Sequence, residues 1–116
     1  MTHIGATFDL RGDGNHLRII ISKPKAGAVL VCNLTDTVHD PDCLCHFETG
    51  EHVRIIKSSI IEMRKLVALP LDQFQNALDN SDIVFREDFS AVLVQKIVSA
   101  ILQTKSVPEK FKSYLR

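Results

Sequence analysis

Five side chains in the first half of the chain, His16, Arg18, Thr35, His52 and Ser59, are of types that together move protons beside an anionic group. Histidine, with an ordinary pKa of about 6.5, gives or takes a proton near neutral pH. Arginine holds anionic oxygens in a fixed fork of donors, and hydroxyls position them. The combination suits chemistry at a phosphate ester, where a nucleophile loses a proton, a leaving oxygen gains one and crowded phosphoryl oxygens are stabilised. His16 and Arg18 are two residues apart, which places them on one face of a strand, and Thr35 falls at the end of a strand expected to pair with theirs. The simpler reading of the same residues has His16 closing a turn, Arg18 on a solvated face and Thr35 starting a loop with a local hydrogen bond.

A second group, His39, Asp42, Cys43, Cys45, His46 and His52, is the densest concentration of metal-ligand types. Cys43-Leu44-Cys45 leaves a one-residue gap and has no second pair, whereas zinc sites usually open with two to four residues between cysteines. The two cysteines then serve as small hydrophobes on a strand face, and no metal is assigned. Cys43 as a nucleophile needs a base such as His52 and a third, orienting group, which the spacing does not specify. Lys23, Lys25, Arg54, Lys57, Arg64 and Lys65 are spread over several segments that either converge as a phosphate-binding surface or stand as solvated strand edges. With one tyrosine and no tryptophan, few aromatic platforms exist for stacking bases. The five glycines match no phosphate-loop pattern, so no nucleotide cofactor is assigned.

The elements that must position these groups follow from periodicity. Ile4, Ala6, Phe8 and Leu10 alternate with Gly5, Thr7 and Asp9, the pattern of a strand with one buried face. Residues 11–15 make a turn, 17–22 a second strand, 23–27 its end and 28–34 a third strand, giving a meander. Residues 35–42 read as a loop. Segments 43–47 and 52–56 flank Glu48-Thr49-Gly50-Glu51 as a hairpin with Gly50 left-handed, and 58–63 and 66–69 add short strands. After Pro70 the period becomes helical: Phe74, Ala77 and Leu78 define a short helix closed by Asn80. Residues 89–104 form a longer helix with Asp88 as its cap. Ser106 and Glu109 fit a capping box for a last helix carrying Phe111, Tyr114 and Leu115. The apolar arc of the long helix is wider than one core requires, so its second face is covered either by that last helix or by a second copy in a two-fold dimer.

The whole is a single domain over 1–116, mainly β with C-terminal helices: a small β-barrel over 4–69 and a helical part over 70–116. Fourteen basic and fourteen acidic residues balance, so no global field draws the chain to nucleic acid and any such contact is local. No apolar run approaches the roughly 20 residues that span a bilayer, and an odd count of three cysteines without a disulfide spacing suits a reducing compartment. A cytoplasmic protein without membrane contact is expected.

Three strings carry a resemblance. Leu17-Arg18-Ile19-Ile20-Ile21-Ser22 resembles the second strand of the MazF/PemK toxin family, Val29-Leu30-Val31-Cys32-Asn33-Leu34-Thr35 its third strand and following hydroxyl, and Ser58-Ser59-Ile60-Ile61 a late segment. Where that family usually has an arginine before the second strand, this sequence has His16, and the pattern of His16, Thr35, Asp42-Cys43, His52 and Ser59 is similar to a MazF-like subset of small bacterial proteins. The resemblance implies an SH3-like barrel and a toxin-type endoribonuclease that cleaves single-stranded RNA without metal, works as a homodimer and is restrained by an antitoxin protein. His16 is then the acid or base, Arg18 stabilises the phosphate, and Thr35, His52 and Ser59 position it. Two alternatives lack catalysis: an SH3-like barrel that uses the same groove to bind a protein or nucleic-acid partner, and a zinc-stabilised barrel built on the cluster from His39 to His52.

Overall fold

The uninterrupted apolar run from Ala28 to Cys32 requires a strand buried on both sides, and this strand is the axis of the molecule. The structure, a computed structural model, describes residues 2–12, 16–36 and 45–116. In chain order these residues form strands β1 (Thr7–Leu10), β2 (Arg18–Ile20), β3 (Ala28–Asp36), β4 (His46–Phe47), β5 (Ser59–Ile61) and β6 (Val67–Pro70), helix α1 (Leu71–Asp79), strand β7 (Ile83–Arg86), and helices α2 (Ala91–Gln103) and α3 (Glu109–Lys112). The expected meander forms, with β1, β2 and β3 pairing antiparallel in succession. On its other edge β3 pairs with β6 along its first half and with β5 along its last three residues. The full order is β4-β5-β3-β2-β1-β7, with β6 beside β3.

That path ends at β4 and β7, so the sheet is open and the closed barrel expected from the sequence is not what forms. The reason lies in the alternation along β3. Val29 and Val31 face α1 with Ala6, Phe8, Ile20 and Phe74, while Leu30, Cys32 and Leu34 face the opposite way, into a core shared with Leu93, Ile97 and Ile101 of α2. A barrel has one interior, whereas this sheet has two covered faces and therefore two cores. The same geometry corrects the reading of β1, whose Thr7 and Asp9 were expected on a solvated face and are instead buried.

Several boundaries differ from the expectation for physical reasons. The strand begins at Thr7 because Gly5, with φ of +94°, turns the chain beside α2: its N–H donates to Ile20 O and its carbonyl accepts from Phe89 N. β3 runs on through Thr35 and Asp36, which the sequence reading placed in a loop, because β5 supplies a ladder for them. The partner of β4 is β5 rather than residues 52–56, which form a turn, although Gly50 does adopt the expected positive φ of +98°. Residues 37–42 of the expected loop and 43–44 of the expected strand lie outside the described residues. β7 was not expected at all, since Ile83-Val84-Phe85-Arg86 follows a helix closely, yet it completes the edge of β1.

α1 ends at Asn80 as its sequence indicates. α2 is capped by Ser90, whose hydroxyl accepts from Leu93 N at 3.3 Å, while the expected cap Asp88 bonds His3 instead. The capping box at Ser106 and Glu109 does not form: Pro108 starts α3 without a side-chain cap, and Ser106 bonds Thr104. Val98 of α2 and Phe111, Tyr114 and Leu115 at the chain's end are all partly buried against the same core. Among the described residues no helix is long and apolar enough to cross a membrane.

Candidate functional site

The β3–β5 ladder is what brings the expected hydroxyls together. Thr35 lies opposite Ile60 and Asp36 opposite Ser59, so both hydroxyls arrive at one end of the sheet. Leu17 joins them there because its carbonyl accepts from Leu34 N at 2.9 Å, which carries His16 to the same place. His16, Thr35 and Ser59 thus line one open cleft of about 480 Å³, closed on its far side by Val53, Arg54, Ile56 and Lys57 of the loop between β4 and β5.

The imidazole of His16 stands beside an acidic side chain. Its Nδ1 faces Glu62 Oε1 at 3.9 Å, and both atoms are buried without a hydrogen-bond partner among the described residues. Glu62 is itself placed by its N–H, which donates to Asn33 O at 3.0 Å, and its other oxygen meets Lys65 Nζ at 3.4 Å. At 3.9 Å the meeting of His16 with Glu62 is an approach without a hydrogen bond, and the His16 side chain is 42% exposed. Thr35 and Ser59 are both largely buried, and the Ser59 hydroxyl donates to Lys57 O at 2.9 Å, so it presents an acceptor oxygen to the cleft. Two cations reach the cleft already paired: Lys57 Nζ with Asp36 Oδ2 at 2.9 Å, and Arg54 Nη2 with Asp9 Oδ2 at 3.0 Å.

The other two expected residues stand elsewhere. Arg18 is on the α1 side of the sheet, where its Nη1 donates to His16 O at 3.2 Å and its side chain lines a different pocket. The two-residue spacing with His16 does not put both on one face, because His16 precedes β2 and is outside the pleat. His52 is buried behind the cleft. Its Nδ1 accepts from Arg54 N at 3.0 Å, so Nε2 carries the proton and donates to Glu87 O at 2.8 Å, with Asp88 O at 3.2 Å and the Phe89 ring 4.6 Å away. Both ring nitrogens are thereby committed to holding the β4–β5 loop against the segment between β7 and α2.

Asp9 reinforces that clamp. Its Oδ2 receives Arg54 at 3.0 Å and Arg86 Nε at 2.8 Å, and its Oδ1 is buried without a partner among the described residues. Sequence reasoning did not single out Asp9, Asp36 or Glu62. The first two carry a signal in retrospect, since each is a carboxylate inside or directly after an apolar strand, a position that is stable only with a cation beside it.

Of the metal-ligand types, His39, Asp42 and Cys43 lie outside the described residues. Cys45 is fully buried in the core and His52 is taken by its clamp. Among the described residues no three His, Cys, Asp or Glu side chains form a metal-binding group. Burial, and next the neighbouring Cys45, pushes the Cys32 thiol far above the usual thiol range, so it stays protonated and unreactive. No protein-family model, no curated protein and no solved structure matches this chain.

Proposed function

We propose that the cleft at the β3–β5 end binds single-stranded RNA and cleaves it without a metal, as a distant MazF/PemK-like endoribonuclease. The observation that supports this reading most is the convergence of His16, Thr35 and Ser59, far apart in sequence, on one cleft. In the reaction, His16 Nε2 takes the proton of a ribose 2′-hydroxyl, and a water molecule gives a proton to the departing 5′-oxygen. The 2′-oxygen forms a bond to phosphorus, the bond to the 5′-oxygen breaks, and the product strand ends in a 2′,3′-cyclic phosphate. The Thr35 hydroxyl and the ammonium of Lys57 face the non-bridging oxygens. Arg18 and His52 have no step in this scheme: one sits on the other face of the sheet, the other holds the cleft wall. A test is incubation of the purified protein with a mixed-sequence RNA and its fully 2′-O-methylated counterpart in EDTA. Cyclic-phosphate ends from the first and none from the second are expected.

A second reading, a non-catalytic groove for a protein partner, is favoured by a specific feature of the rim. Val53 and Ile56 are 65% and 80% exposed at the mouth of the cleft, and both cleft cations are already neutralised by carboxylates. Intact RNA in the same incubation supports that reading.

A further inference from the structure

Six of the fourteen basic residues, Lys23, Lys25, Lys105, Lys110, Lys112 and Arg116, fall in two short segments, 23–27 and 104–116, that hold one acidic residue, Glu109. The rest of the chain carries eight basic residues against thirteen acidic ones, so a chain of zero net charge has a strongly positive part. The fold joins the two segments: the Lys25 ammonium donates to Ser113 Oγ at 2.8 Å and stands 5.5 Å from the centre of the Tyr114 ring. Between them and the start of α2 runs an open groove of about 750 Å³. Its floor is hydrocarbon, from the buried Ile21 and Val94 and the half-buried Val98 and Leu115, and Ile4 stands 44% exposed in its lining. Lys23 and Lys25 enter the groove from one turn, and among the described residues neither meets a carboxylate, whereas Arg116 is paired with Glu109. The Lys25 ammonium has three donors, of which the Ser113 hydroxyl takes one.

We propose that this groove binds a phosphate monoester of a hydrocarbon chain, its phosphate on Lys23 and Lys25 and its chain over Val94 and Val98. Two ammonium groups beside an apolar floor complement a molecule with two negative charges at one end and hydrocarbon behind them. A phosphate monoester carries a charge of about −1.5 to −2 near neutral pH, against a single charge on a carboxylate, and lysine binds phosphate as a point charge. The size suits a small amphiphile: at about 30 Å³ per water the groove holds about 25 waters, room for a chain of about ten carbons and its head group. The positive field of the two segments raises the local concentration of such an anion. Lys25 pairs with Ala28, the first residue of β3, while the cleft lies by Thr35 near its other end, so the site does not depend on the RNA reading.

The test is calorimetric titration of the full chain with decyl phosphate, decanoate, decyltrimethylammonium and inorganic phosphate, with the emission of Tyr114, the chain's one tyrosine, followed in parallel. One decyl phosphate per chain at a Kd of roughly 0.05–0.5 mM is expected for a ligand of this size, and the Tyr114 emission should change with the same midpoint. Decanoate should bind at least about threefold more weakly, and decyltrimethylammonium and inorganic phosphate at least about tenfold more weakly. The double variant Lys23→Gln with Lys25→Gln, both on an exposed turn, should weaken decyl phosphate by about tenfold or more. The proposal is overturned if decyl phosphate gives no saturable heat up to about 5 mM, if decanoate or the cationic amphiphile binds as tightly, if Tyr114 emission stays constant through saturation, or if a folded double variant binds as well as the wild type. The comparison of head groups on the wild-type chain decides the matter even if the variant fails to fold.

Discussion

At the residue scale, Asp9 and His52 are more informative than the residues of the cleft itself, because they hold the wall that carries Arg54. Replacing Asp9 leaves two guanidinium groups facing each other with no counter-charge. Since Arg54 and Arg86 side chains are 31% and 38% exposed, water relieves part of that loss. Asp9→Ala should therefore cost about 1–3 kcal/mol, below the 3–5 kcal/mol of a fully buried pair, as read by urea denaturation. A second expectation concerns Cys32. Its folded-state pKa is raised, so above the ordinary thiol value of about 8.5 the unfolded chain releases a proton that the folded chain keeps. The folded state then binds more protons, the thiol's contribution is fully present below about pH 8.5, and stability falls as pH rises beyond it. The slope should approach about 1.4 kcal/mol per pH unit between roughly pH 9 and 10 and should be reduced in Cys32→Val, measured by denaturation at a series of pH values. At this scale the sequence showed which side chains have useful chemistry. It did not show which of two histidines is free to use it, because that depends on where the carbonyls of Glu87 and Asp88 lie.

At the element scale, the order of strands and helices was largely legible, and the errors have one origin. Period-two alternation in β1 reads as one buried face, but that inference assumes the polar residues meet solvent. Here Thr7 bonds Glu87 O at 2.7 Å and Asp9 holds two arginines, so the polar face is also inside. The segment supplying Arg86 and Glu87, β7 and the residue after it, is the strand that was missed, and without it a one-cored barrel is the natural conclusion. Gly5 was read only as a polar position of the strand, yet it is where β1 meets the start of α2. A Cβ there would stand 2.6 Å from Phe89 O, and φ is +94°. Gly5→Ala should destabilise the protein by about 2 kcal/mol or more, visible as a lower Tm, whereas Gly12→Ala, with positive φ but open space, should cost about 1 kcal/mol.

For the whole molecule, the apolar arc of α2 has two possible covers, the chain's own last helix or a second copy, and the MazF/PemK resemblance is what favours the dimer. Phe111, Tyr114 and Leu115 at the end of the chain pack against the core to which α2 contributes. Sedimentation at micromolar concentration should therefore give the mass of a single 13.0 kDa chain. Replacing Phe111 and Leu115 together by Asp should uncover the face and raise the apparent mass or cause precipitation. The fold-level inference from sequence was coarser than the element-level one because covering both faces of a sheet depends on long-range returns, by α1 to one side and α2 to the other, that local periodicity does not encode. The central claim is that His16 acts in the cleft as acid or base. Its most direct test is the single-turnover rate of RNA cleavage in EDTA by wild-type protein and by His16→Ala purified in parallel. A rate about 10²–10⁴ lower in the variant is predicted, and equal rates, or no cleavage by the wild-type chain, would contradict the account.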